Sequence, residues 1–244
     1  MDSHTRSALR LASTLVAIAI LASSITLSPK ASAALTLCPG SGNVTFLGDS
    51  FTQGTPQGGG QAGSWIWQLG RRCGYQNVVN DGRGSTGAIV TSDTSANYVT
   101  RATTDVAPTN PDIVFITGYY NDRGHPPADI AAAFGTTIDI VAQLPTHPMI
   151  VVTGTYDPKG LNGSPYRQID AGLLAVCTQR GVPFVEPSTG NVYDSAGRVV
   201  TSAGPWITPD NKEHYVGPDG VHQSVDGQAY MADRMFDAVR ALSG

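Results

Sequence analysis

Charge is scarce in this chain, and long hydrophobic runs are nearly absent. Only 14% of its 244 residues are Asp, Glu, Lys or Arg, and 19 acidic residues outnumber 15 basic ones. No Lys/Arg cluster occurs anywhere along it, so no basic surface is available for a polyanion and nucleic acid is excluded as a partner. Glutamate occurs only as Glu186 and Glu213, which leaves no well-placed acidic pair for glycoside chemistry. His125, His147 and His214 are isolated, and no His-Glu-x-x-His ligand set is present. No metal site is therefore expected.

One extended apolar run exists, over residues 11–27, preceded by Arg6 and Arg10 and followed by Ala31-Ser32-Ala33. A basic start, an apolar middle and a small-residue Ala-x-Ala end describe a secretory signal peptide, cleaved after Ala33. Ser13, Thr14, Ser23, Ser24 and Thr26 interrupt the run, which argues against a retained membrane anchor. The expected product is a monomer secreted outside the cell or held at the cell wall, with residues 34–244 forming a single domain.

Cysteine is also sparse. Cys38, Cys73 and Cys177 are an odd count in an exported chain, which reads as one bridge and one free thiol. Cys38 lies just before the first expected strand, and Cys73 ends the helix that returns from it. A Cys38–Cys73 disulfide is therefore expected. Cys177 falls in an apolar helical stretch, where a buried free cysteine is ordinary.

Short β-rich apolar segments alternate with amphipathic stretches along the remainder. Strands are expected at residues 43–48, 75–80, 111–118, 149–153 and 182–185, and helices at 65–73, 127–144, 165–180 and 225–242. Residues 191–206 read as a hairpin-like excursion around Asp194-Ser195-Ala196-Gly197. This alternation predicts an α/β fold, a three-layer α/β/α sandwich around a doubly wound, flavodoxin-like, five-stranded parallel sheet. The Gly/Gln-rich residues 52–64 read equally as a connector or as a substrate-lining loop. Trp65 and Trp67 suit helix packing, whereas Trp206, beside Pro205 and close to Pro209, reads as a surface residue.

Ligands gather at the C-terminal ends of parallel strands. The first strand delivers Gly48-Asp49-Ser50 there, the second a glycine-rich turn containing Gly84 and Ser85, and the third Asn121-Asp122. Asp219-Gly220-Val221-His222 follows late in the chain, its acid and imidazole three residues apart, a spacing that on a helical turn puts both on one face. A serine at a strand end is ordinarily an N-cap or turn residue. It becomes a nucleophile when a base and oxyanion donors reach it. Asp49 and Asp122 read as N-cap and turn acids, and Arg123 as an exposed cation.

In order and composition, these four blocks resemble the SGNH (GDSL) hydrolase family. The resemblance implies ester hydrolysis through an acyl-enzyme, without metal or cofactor. Ser50 would be the nucleophile, His222 the base and then acid, and Asp219 its orienting carboxylate. The Ser50 N–H, the backbone at Gly84 or Ser85 and the Asn121 amide would form the oxyanion hole. Tyr119 stands where the third block usually has glycine, and is expected to narrow the acyl pocket. The implied partner is a small-molecule, lipid or acylated-glycan ester, with short acyl groups slightly favoured. An acyltransferase using the same residues, or a non-catalytic glycan- or lipid-binding module on this scaffold, are the alternatives.

Overall fold

The computed structural model describes residues 36–244; the signal peptide expected over residues 1–33 lies outside the described residues. In chain order the elements are β1 (Asn43–Gly48), α1 (Ser50–Gln53), α2 (Trp65–Cys73), β2 (Asn77–Gly82), α3 (Tyr98–Arg101), β3 (Ile113–Thr117), α4 (Pro127–Ala142), β4 (Met149–Thr153), α5 (Tyr166–Arg180), β5 (Phe184–Glu186), β6 (Asn191–Tyr193), β7 (Val199–Ser202), α6 (Lys212–Tyr215) and α7 (Val225–Leu242). They build one sheet in the order β2-β1-β3-β4-β5-β6-β7. The first five strands are parallel and form the doubly wound core. The hairpin at residues 191–206 adds β6 and β7 antiparallel, so the sheet has seven strands rather than the five expected.

The central strands are apolar on both faces because helices cover both faces. Phe46 of β1 and Phe115 of β3 point to the layer holding α2 and α7, their rings 4.8 Å apart, with Trp65 packed edge-on. The alternate residues Leu47, Val114 and Ile116 point to the α3, α4 and α5 layer, against Phe134, Ile138 and Leu173. Period-two alternation along each strand thus divides one continuous apolar run between two cores.

Two features position the site. The register pairs Gly48 with Gly82 and with Thr117, and Thr117 with Thr153, so the C-terminal ends of β2, β1, β3 and β4 are level. Gly48 also lets α1 press onto the sheet: a side-chain carbon there would lie 2.2 Å from the Thr52 hydroxyl and 2.4 Å from that of Thr117. The strand consequently turns into a helix within one residue, leaving Ser50 at the helix start.

Cys38 and Cys73 form a disulfide, and Cys177 is free and buried in α5. Trp206 is not a surface residue. It is 2% exposed in the α2/α7 core, where its backbone N–H donates to the Pro187 carbonyl (3.0 Å) and ties the segment after β7 back to the sheet. Among the described residues, no helix is long and apolar enough to cross a membrane.

Candidate active site

Asp49 caps α1 by accepting from the Phe51 N–H (2.9 Å), and its carbonyl accepts from Thr52 and Gln53. Ser50, first in the helix, keeps an N–H that has no partner within the helix. Its hydroxyl lies 2.8 Å from Nε2 of His222, and Nδ1 of His222 lies 2.6 Å from Oδ2 of Asp219. A carboxylate can only accept, so Nδ1 carries the proton, and Nε2 is the lone-pair nitrogen facing the Ser50 hydroxyl.

Asp219 and His222 are not on a helix as their spacing suggested. Gly220 has φ +69°, which closes a tight turn in which the Gly220 N–H donates to Gly217 O and the Gly217 N–H donates to His222 O. That turn wraps the backbone around the acid: the Val221 and His222 N–H groups donate to Oδ1 of Asp219, each at 3.0 Å. Gln57 adds a side-chain bond to Oδ2 (3.0 Å), so residues 52–64 help hold the acid. Partial burial raises the Asp219 carboxyl, but the His222 ring and the two backbone N–H groups outweigh it and hold the group below the usual carboxylate range. Its side chain is 28% exposed and that of His222 21%, which leaves the pair beside solvent and still fixed. Tyr156 steadies the turn from below, donating to Val221 O (3.2 Å), and Phe51 packs against the His222 ring.

The turns after β2 and β3 carry the donors expected for an oxyanion. The Gly84 N–H donates to Oε1 of Gln53 (2.8 Å), so it is already committed. Ser85 adopts φ +61°, and among the described residues its N–H has no acceptor. Of the two backbone donors expected here, Ser85 is therefore the free one. Asn121, on the helical turn after β3, spends one amide hydrogen on Thr86 O (2.9 Å) and retains the second. The neighbouring Asp122 accepts from the Ala88, Ile89 and Val90 N–H groups at 2.7–3.1 Å. Gly87 makes room for it, since a side-chain carbon there would sit 2.3 Å from the Asp122 carboxylate.

Tyr119 does not narrow the site. It is fully buried on the α4/α5 side of the sheet, donating its hydroxyl to Oδ1 of Asp170 (2.7 Å). Beneath the strand ends lies Arg101, 1% exposed, which sequence reasoning did not single out. It donates to Asp81 O (2.6 Å), Gly48 O (2.9 Å), Thr86 Oγ1 (3.1 Å) and Ala96 O (3.1 Å), and its charge lies 3.2 Å from the Asp81 carboxylate. One guanidinium thus joins the end of the Ser50 strand to the turn carrying Ser85.

Two buried carboxyls flank this region. Burial pushes Asp49 up to about 7 against the pull of the Phe51 N–H, and Asp170 up to about 7 against bonds from Ser188 and Tyr119. Unfolded aspartate titrates near ~3.9, so the folded form binds more protons between about pH 4 and pH 7. The stability these groups contribute is complete at the acid end and is lost as pH rises through about 7. Asp170→Asn should flatten the fall in melting temperature across that window. A slope identical to wild type would contradict this assignment.

Two open clefts flank Ser50. One, of about 550 Å³, is lined by Gln53, Arg83, Gly84, Ser85 and residues 92–95. The other, of about 770 Å³, includes Tyr120, Asn121, Arg123, Lys159 and Gly220 in its walls. A small apolar space of about 20 Å³ lies between Phe51, Trp65 and Tyr156. Among the described residues, no three His, Cys, Asp or Glu side chains are grouped to hold a metal.

The sequence model of the GDSL-like lipase/acylhydrolase family matches residues 46–230. A GDSL lipase of Mycobacterium tuberculosis is 27% identical over 202 residues, 79% of this chain and 79% of that protein. Est24, a carbohydrate acetylesterase from Sinorhizobium meliloti, superposes with a TM-score of 0.59 at 19% identity, covering 82% of this chain and 99% of that one. A family 3 carbohydrate esterase of Clostridium thermocellum gives a TM-score of 0.57 at 19% identity, covering 84% and 100%. At these identities, the structural likenesses show a shared fold.

Proposed function

This chain belongs to the GDSL-like lipase/acylhydrolase family and is a carboxylic ester hydrolase; we propose that it is secreted and removes short acyl groups, acetyl above all, through an acyl-enzyme on Ser50. The observation that carries the reading is the unbroken hydrogen-bond chain from the Ser50 hydroxyl through His222 to Asp219. As Ser50 Oγ attacks the ester carbonyl, Nε2 of His222 takes its proton, and the Asp219 carboxylate stabilises the imidazolium. Charge developing on the carbonyl oxygen is met by the Ser50 and Ser85 N–H groups and the spare Asn121 amide hydrogen. His222 returns the proton to the departing alcohol. Water, deprotonated by the same nitrogen, then attacks the acyl-enzyme; His222 passes that proton to Ser50 Oγ as the acyl–oxygen bond breaks, and the acid leaves.

Short acyl groups are favoured by what surrounds Ser50. Each buried methylene of a long chain would gain ~0.8 kcal/mol in an apolar channel. The apolar space beside Phe51 is only about 20 Å³, however; the cleft beside Ser85 is polar, and the one beside Asn121 interrupts Leu161 and its tyrosines and prolines with Arg123, Asp157 and Lys159. The carbohydrate acetylesterase and carbohydrate esterase that share this fold make an acetylated sugar a fitting substrate. A p-nitrophenyl ester series tests the choice: turnover should peak at acetyl to butyryl and fall toward palmitoyl. A palmitoyl optimum would overturn the short-acyl reading.

The acid side of the pH profile follows from the same geometry. General-base action needs the lone pair on Nε2 of His222, and Asp219, held below the usual carboxylate range, stays ionised on mild acidification to keep the ring oriented. Activity should fall toward acid pH with the uptake of a single proton. A flat profile from mildly acid to mildly alkaline pH would contradict base catalysis by His222.

A further inference from the structure

We infer that the cleft beside Asn121 and Gly220 recognises an anionic group on the substrate, so that the preferred ester is an acetylated sugar bearing a carboxylate or comparable anion; this rests on the esterase reading above. The chain as a whole is acidic, with a net charge of −4. Yet this cleft holds two cations, Arg123 and Lys159, and neither has an acidic partner among the described residues. The one acid in the cleft wall, Asp157, is turned inward and occupied by the Lys159, Leu161 and Asn162 N–H groups. Its oxygens are thus taken up by the loop backbone, and two cations against this one acid leave the cleft with a positive excess.

Arg123 is also held in place. Its guanidinium lies 3.8 Å from the centroid of the Tyr120 ring and donates to the Tyr120 carbonyl (2.5 Å). Stacking fixes the planar group with donors left over, which favours recognition of a planar carboxylate. The cleft borders the reaction centre: Asn121 and Gly220, the latter between Asp219 and His222, belong to its walls. Its volume of about 770 Å³ accommodates a sugar ring. An ester whose carbonyl sits against Ser50 can thus place the alcohol part, and the anion on it, beside Arg123 and Lys159.

The test compares kcat/KM for a methyl O-acetyl-glucuronide and the matching O-acetyl-glucoside, with p-nitrophenyl acetate as a third substrate. Wild type should prefer the acidic sugar about tenfold, equivalent to about 1.4 kcal/mol. Rising salt should shrink the ratio, because the cations face solvent. In Arg123→Gln/Lys159→Gln the ratio should fall toward one, and in Lys159→Glu it should fall below the wild-type value by more than Lys159→Gln alone. Equal kcat/KM for the two sugars in wild type, or a preference that survives the double substitution, would overturn the anionic site. Ser50-dependent turnover of p-nitrophenyl acetate would leave the esterase reading standing in either case. Absence of turnover of all three esters would instead bring down that reading, and the anionic site with it.

Discussion

Ser50→Ala is expected to lower ester turnover by on the order of 10⁴–10⁶-fold while leaving the melting temperature close to wild type. The fold should tolerate the change because the hydroxyl's one bond is to His222, and the side chain is only half-buried. The chemistry should not, because the neighbouring Asp49 carboxyl is buried and faces the Phe51 N–H, out of position to replace it. His222→Ala should cost a similar factor, and the double variant little more than either single one, since nucleophile and base act as a unit. Each substitution leaves the oxyanion donors in place, so a residual rate above that in water is expected. Turnover within tenfold of wild type in either single variant would remove Ser50 or His222 from the mechanism.

Arg101→Met is expected to destabilise the protein by about 3–5 kcal/mol, the cost typical of breaking one side of a buried ion pair. Asp81, 2% exposed, would lose its buried countercharge and keep only the half-exposed Arg83, 3.4 Å away. Burial already pushes its carboxyl up to about 6 despite the pull of Arg101. The carbonyls of Gly48, Asp81 and Ala96 would lose a donor at the same time. Because Gly48 precedes the Asp49-Ser50 pair and Thr86 follows Ser85, kcat should fall more than KM rises. Arg101→Lys should recover part of the stability but less of the rate, since one ammonium cannot reach four acceptors spread over three chain segments. Unchanged stability and kcat in Arg101→Met would show that the guanidinium is dispensable. A loss of stability with kcat intact would restrict it to the fold.

The elements legible in the sequence are those whose burial is simple. β1, β3 and β4 are short apolar runs covered on both faces, and α4, α5 and α7 carry apolar residues at helical spacing, so local pattern and tertiary environment agree. The hairpin at residues 191–206 was legible as a hairpin. That it pairs with β5 was not, because edge pairing depends on what else covers the sheet. Trp206 misled for a related reason: its proline-flanked setting reads as surface, but a backbone bond to Pro187 ties its segment back to the sheet and the ring lies in the core.

Within the site, residue identities were more legible than their arrangement. Asp219 and His222 suit a helical turn by spacing, yet Gly220 makes a left-handed turn whose N–H groups also bind the acid. The choice between Gly84 and Ser85 as oxyanion donor turns on Gln53, whose amide reaches Gly84 from another segment. Arg101 was invisible to composition and pattern, because an arginine on a polar segment defaults to solvent. The signal was weak but present: Tyr98, Ala102 and Val106 make an apolar helical face on which Arg101 also lies, and all four are buried.

The most direct test of the mechanism is covalent trapping of the nucleophile with a fluorophosphonate ester, read by intact mass and peptide mapping. The account predicts one adduct per chain, located on Ser50, slowed strongly in His222→Ala and absent in Ser50→Ala, with ester hydrolysis lost in step with labelling. An adduct on another residue, or hydrolysis that continues after Ser50 is fully labelled, would contradict it.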